Sequence, residues 1–279
     1  MTLRQIKHLQ HKLLNIPLTN RQYKSCEIMS PKIFTPQEKT EREQKILNCA
    51  KDIISREGEL GLSIDKLVKN LPYSKGTIYN HFTGKEDIIL ALCTEHLKTL
   101  STVFSKALAF KGNSREKALA IHVGSLLHNR ANPKDFMIGV TVKTAQCLHK
   151  ASLNRRQYHQ QLESTLLTPI LTHFSNAVNA GECHLPAGMS IEQLAFSCWS
   201  VDFGSQVLLI DQLETCSLRS QLDINVELFN SINLLHDGMR WQPLSADFDW
   251  RNSIERIKNE VFSDEVAQIL LLQSTHINT

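Results

Sequence analysis

Residues 62–92 constrain this chain more than any other stretch, because two short helical patterns meet there at a proline. Ser63 has the side chain of an N-cap, and Ile64, Leu67, Val68 and Leu71 then fall on one face before Pro72 forbids continuation. Ser74 is a second N-cap, for a helix over Ser74–Phe82 in which Ile78 and Phe82 point inward together. Lys75, Thr77, Tyr79, Asn80 and His81 then have outward components. Two short helices separated by a tight turn, the second presenting hydrogen-bond donors, are the pattern of a helix-turn-helix that enters the major groove of DNA.

The charge pattern points the same way. From Lys66 through Lys85 the chain carries four lysines and a histidine and no Asp or Glu, although its net charge is only +3. A local positive field suits phosphate, whereas the mild overall charge demands no nucleic-acid partner by itself. Gly76 leaves room at the first turn of the second helix for backbone N–H groups to approach a phosphate. Lys75, Thr77 and Tyr73 are the candidates for base edges, and Tyr79, His81 and Lys85 for phosphate. With Ser63, Ser74, Gly76 and Asn80 they make up the expected DNA-binding set.

Ser74-Lys-Gly-Thr-Ile-Tyr-Asn-His-Phe82, followed by Gly84-Lys-Glu-Asp87, resembles the signature of the tetracycline-repressor (TetR) family. The resemblance covers about residues 38–98. It departs from the usual pattern at Pro72, where the turn commonly has Gly, and at Tyr73, where it commonly has a small aliphatic residue. Family membership implies an all-α fold, with an N-terminal three-helix DNA-binding unit and a larger C-terminal helical domain for ligand binding and dimerisation. It also implies a homodimer on a palindromic operator, a repressor role, and an unidentified small-molecule effector.

Helical periodicity organises the rest. Residues 1–34 carry six Lys or Arg against Glu27 alone and read as a basic, mobile extension, with Met29 as an alternative beginning; a DNA-touching arm is the competing reading. Pro36–Glu57 reads as the first helix of a DNA-binding domain over residues 35–84, through Ile46, Leu47, Ala50, Ile53 and Ile54. A ligand-binding and dimerisation domain is expected over residues 85–243. It begins with a long helix from Lys85 to about Phe110, then helices from Ser114, as cap, to Arg130, from Pro133 through Leu148, and from Leu153 to Ala180 with Pro169 inside. Ile191–Leu213 is apolar nearly all round, and with Val226–Trp241 it occupies the place of the family's dimer-forming helices. Residues 244–279 read as two additional short helices.

A small-molecule pocket is expected between the helices of residues 114–180 and the start of Ile191–Leu213, lined by Phe136, Met137, Thr141, Phe174, Trp199 and Phe203. Enzyme motifs are absent: there is no phosphate-binding glycine loop, H-E-x-x-H or G-x-S-x-G, and Ser114-x-x-Lys117 lacks its partner motifs. No catalytic residue, cofactor or metal site is expected. The chain has twelve histidines and seven cysteines, but no spacing among them that reads as a ligand set. A redox sensor at Cys147 or Cys198 would need an exposed thiol of lowered pKa. No apolar run approaches the roughly 20 residues of a membrane helix, so a cytoplasmic protein is expected. The other readings are a DNA-binding partner factor without an effector and, from a different class, a His/Cys metal-dependent helical enzyme.

Overall fold

The computed structural model describes residues 35–142, 149–209 and 216–277, and these contain helices and no strand. The basic extension of residues 1–34, Thr144, Cys147 and Leu148, and the last turn expected for Ile191–Leu213, lie outside the described residues. Contacts divide the chain into residues 1–41 and residues 42–279. In the first unit, helix α1 (Pro36–Glu57) starts with a reciprocal cap: Thr35 N donates to the Glu38 carboxylate at 2.8 Å and Glu38 N donates to Thr35 Oγ1 at 3.2 Å.

Within residues 42–279 the apolar periodicity becomes two cores. Ile46, Leu47, Ala50, Ile53 and Ile54 of α1 are buried with Leu67 of α2 (Ile64–Asn70), Ile78 of α3 (Lys75–Tyr79), Phe82, and Ile88–Cys93 at the start of α4 (Lys85–Leu108). Burying each such side chain contributes roughly 1.5–3 kcal/mol, so a short helix such as α3 is held by Ile78 rather than by its own hydrogen bonds. The second core joins the end of α4 to α5 (Ser114–Ala131), α7 (Leu153–Asn179), α8 (Ile191–Leu209) and α9 (Ile224–Gly238); α6 (Pro133–Val142) adjoins α4 and α5.

Three boundaries differ from the periodicity for identifiable reasons. Asn113, not Ser114, caps α5: its side chain accepts from Glu116 N, the Glu116 carboxylate accepts from Asn113 N, and Ser114 Oγ instead accepts from Trp241 Nε1 at 2.8 Å. Helix α9 starts earlier than expected because Asp223 caps it, and it ends at Gly238. Beyond it Arg240 takes a positive φ of 48° and Trp241 turns into the core, edge-on to Phe174 at 5.2 Å.

The two additional C-terminal helices are α10 (Trp250–Glu260) and α11 (Ser263–Ile277), and they belong to the second core. Ser253 Oγ donates to Glu116 at 2.7 Å, and Phe262 fills a notch in α5 at Gly124, where a Cβ would lie 2.6 Å from the Phe262 ring. Arg115, 0% exposed, ties this region together by donating to Asp237 at 2.6 Å, Asn233 Oδ1 at 2.7 Å, and the carbonyls of Trp241 and Pro243 at 2.8 and 2.9 Å.

Candidate nucleic-acid interface and effector cavity

Both helices of the helix-turn-helix start on a serine cap. Ser63 Oγ accepts from Lys66 N at 3.2 Å, and Ser74 Oγ accepts from Thr77 N at 3.1 Å while lying 2.9 Å from Thr77 Oγ1. The turn between them needs no left-handed residue: Leu71 is extended, and among the described residues positive φ occurs only at Gly58, Gly181, Gly188 and Arg240. Pro72 therefore replaces a turn glycine without strain.

With Ile78 and Phe82 anchored inside, Ser74, Lys75, Gly76, Tyr79 and Asn80 are exposed, and Ser63, Tyr73, Thr77 and Lys85 are half-buried. A Cβ at Gly76 would meet nothing closer than Ser74 Oγ at 3.8 Å, so packing within the chain does not require a glycine there. The positive field is weaker than the sequence suggests, because two of the four lysines pair with acids just outside the run: Lys75 with Asp65 at 2.9 Å and Lys66 with Glu57. Tyr73 carries the Arg42 guanidinium 5.7 Å above its ring.

His81 is not where the pattern places it. Helix α3 stops at Tyr79, Asn80 caps it, and the next turn carries the His81 side chain inward to 6% exposure, with Nδ1 3.6 Å from Glu43. It cannot reach a phosphate without leaving that pocket.

The first turn of α7 grips this unit, a feature that periodicity alone does not reveal. Arg155 donates to Glu43 at 2.8 Å and to the His81 carbonyl at 3.2 Å, and its guanidinium lies 4.5 Å above the Phe82 ring. Asp87 accepts from Thr83 N, Thr83 Oγ1 and Ser152 N at 2.8, 2.6 and 2.6 Å. Burial pushes that carboxyl up, but the hydrogen bonds from Thr83 and Ser152 outweigh it and hold the group below its ordinary value.

Further along, the same helix forms one wall of a cavity of about 200 Å³. Leu166, Ile170 and Phe174 of α7 face Phe136 of α6 and Trp199 and Phe203 of α8 across it. Phe203 lies edge-on to Phe136 at 5.9 Å and 5.7 Å from Trp199. Four of the six pocket residues expected from the sequence thus meet; Met137 and Thr141 do not line the cavity, Met137 being exposed and Thr141 Oγ1 donating to the Met137 carbonyl.

The cavity also has a polar side that the sequence analysis missed. His122 Nδ1 lies 3.1 Å from Asp202 Oδ1, while Ser125 and Gln206 donate to Asp202 Oδ2 at 2.8 and 2.9 Å, and Asn129 donates to Gln206 at 2.8 Å. The available signal was Asp202 and Gln206, four apart in an otherwise apolar helix. Burial pushes the Cys198 thiol up to about 12, with Cys183 and Asp202 adding to the effect, which is the reverse of a redox sensor; Cys147 lies outside the described residues.

Residues 46–92 match the family model described as "Bacterial regulatory proteins, tetR family". The helix-turn-helix segment is of the TetR type. Over 128 residues, 43% of each chain, this protein is 25% identical to the uncharacterized HTH-type transcriptional regulator YuxN of Bacillus subtilis (strain 168), so the match spans less than half of that relative's length. It is similar in fold to a putative tetR family transcription regulator from Shewanella sp. PV-4, at TM-score 0.55 and 19% identity, over 71% of this chain and 97% of that one. Another similar structure is the regulator FadR of Bacillus subtilis in complex with stearoyl-CoA, at TM-score 0.52 and 17% identity, over 70% and 98% of the two chains. The described residues share the all-helical architecture of these two structures. No described helix is long and apolar enough to cross a membrane.

Proposed function

We propose that this protein is a cytoplasmic repressor that binds a palindromic operator as a homodimer and releases it when a small molecule occupies the cavity. The observation that carries the reading is the exposed face of α3: Lys75, Gly76 and Tyr79 project outward from a scaffold rigidly anchored by Ile78 and Phe82. Lys75, Thr77 and Tyr73 read base edges; Tyr79, Lys85, Ser74 and the Gly76 backbone meet phosphates; Asn80 lies beside them; Ser63 holds the first helix; and His81 supports the unit from inside. The DNA-binding domain covers residues 35–84, the effector and dimer domain residues 85–243, and the α10–α11 segment buttresses the latter.

The dimer reading is supported by the way α8 is turned. Its buried stripe is Leu194, Cys198, Asp202 and Gln206, while Phe196, at 61% exposure, and Leu208 face outward, as do Val226 and Leu234 on α9. A helix that keeps polar groups inside and apolar ones outside fits a second copy of the chain.

Effector action is assigned to α7, which holds the reading unit at one end and walls the cavity at the other. A ligand that displaces Leu166, Ile170 or Phe174 shifts Arg155 and Asp87's partner Ser152, and lowers DNA affinity by its differential binding to the two positions. Arg155→Ala is expected to speed amide exchange over residues 75–83 about tenfold, a local opening easier by roughly 1.4 kcal/mol. Unchanged exchange there would exclude the grip as a means of transmission.

DNA binding itself is tested by a salt series. Tyr79→Phe combined with Lys85→Ala is expected to weaken binding to every duplex alike and to flatten the dependence of log affinity on log salt by about one counterion. An unaltered slope in fluorescence anisotropy rejects the phosphate roles.

A further inference from the structure

The helical body brings together three side chains that the DNA-binding reading does not use. His122 of α5, Cys198 of α8 and His236 of α9 are all buried, and one donor atom from each lies within 4.8 Å of the other two. His122 and Cys198 line the cavity. We propose that these three residues bind a divalent, thiophilic cation of the Zn2+ type, leaving a fourth coordination position directed at the cavity.

His236 is the first support. The ring is wholly buried, 4.8 Å from Trp241, and neither of its nitrogens has a hydrogen-bond partner. A buried polar group left without a partner is costly to the folded chain and calls for an explanation, which a bound ion supplies.

His122 is the second. Its Nδ1 faces a carboxylate that is itself fixed by Ser125 and Gln206, so Nδ1 carries the proton and Nε2 presents a lone pair. A carboxylate behind an imidazole is the outer-shell arrangement that orients histidine ligands.

Charge selects the cation. A divalent ion, one thiolate and the Asp202 carboxylate sum to zero in a buried place, whereas Arg115 is already balanced by Asp237 at 2.6 Å. Two imidazoles and a thiolate suit Zn2+ rather than Mg2+ or Ca2+. Bonding requires Cys198 to lose its thiol proton to solvent as the sulfur–metal bond forms. Tetrahedral Zn2+ places its ligand atoms about 3.4–3.7 Å apart, so donor atoms that lie within 4.8 Å of one another must close by up to about 1.4 Å, and His236 has no hydrogen bond to break in turning.

The test uses the untagged full chain, stripped with a chelator and titrated with Zn2+ against a chromophoric competitor, and separately with Co2+. Expected are one ion per chain, release of about one proton per ion near neutral pH, and a thiolate-to-cobalt charge-transfer absorption. Cys198→Ser should abolish that absorption and weaken Zn2+ binding at least about 100-fold, and Asp202→Asn should weaken it about tenfold. Circular dichroism of the metal-free variants checks their fold. Should Cys198→Ser fail to fold, Zn2+ protection of Cys198 from alkylation in the native chain decides instead. Absence of stoichiometric binding, or a cobalt–thiolate band that survives in folded Cys198→Ser, overturns the site. The coordination claim stands apart from the DNA reading: a chain that takes up Zn2+ but binds no duplex would refute the function proposed above and leave this site intact.

Discussion

Arg115→Leu is expected to lower the stability of the folded chain by about 3–5 kcal/mol, the cost of removing one partner of a buried charged pair. Leucine fills much of the volume but donates nothing, so Asn233 Oδ1 and the carbonyls of Trp241 and Pro243 lose their hydrogen bonds in the interior, and Asp237 loses its cation. For a chain of this size the melting temperature should fall on the order of 10 °C. The acid limb should change as well. Burial pushes the Asp237 carboxyl up, but hydrogen bonds from Ser245 and the Arg115 guanidinium outweigh it and hold the group below its ordinary value. Its contribution is therefore complete above the unfolded pKa and is lost as pH falls through the lower, folded one. Arg115→Leu should flatten that acid loss, and a denaturant titration at several pH values checks both effects. A midpoint shift equivalent to under about 1 kcal/mol would show that water replaces the guanidinium.

Gly76→Glu is expected to leave the fold intact and to reduce DNA affinity on the order of 100-fold or more, because it sets a carboxylate where the proposed function sets a phosphate. The fold tolerates the change because a Cβ at this position meets open space and the backbone is helical. Gly76→Ala carries the same logic with opposite signs. The free chain should gain about 0.5–1 kcal/mol from helix propensity, while binding weakens as the methyl group intrudes on the approaching backbone. Melting curves and anisotropy on the same preparations separate the two. Undiminished binding by Gly76→Glu would place the DNA elsewhere on the molecule.

The helix-turn-helix was legible because its determinants are local. Serine caps, an i, i+4 apolar pair and a proline stop each act within one turn of helix, and Ile78 and Phe82 are buried as their spacing implies. His81 was misread for a local reason too: helical phase was extended past Tyr79, where the chain has already turned. The aromatic wall of the cavity was partly legible, since Phe136, Phe174, Trp199 and Phe203 are large and apolar and the body is small. Met137 and Thr141 share a helix with Phe136, and only its packing partners decide which face of that helix is inside. His122, Cys198 and His236 come from three helices far apart in the chain, so no spacing rule joins them. Arg155 over Phe82 is likewise a tertiary contact with no sequence period.

The slot at Gly124 bears on how the polypeptide is made. Phe262 fills it, and Trp250, Ile254 and Ile257 complete the same interior, so these residues leave the ribosome after α4, α5, α7, α8 and α9, whose core they fill. The cluster built on residues 46–93 emerges first and can begin to pack during translation. The cavity-bearing part must wait for its keystone, and nascent chains stalled ahead of residue 250 should carry a gap in that interior that chaperones can recognise.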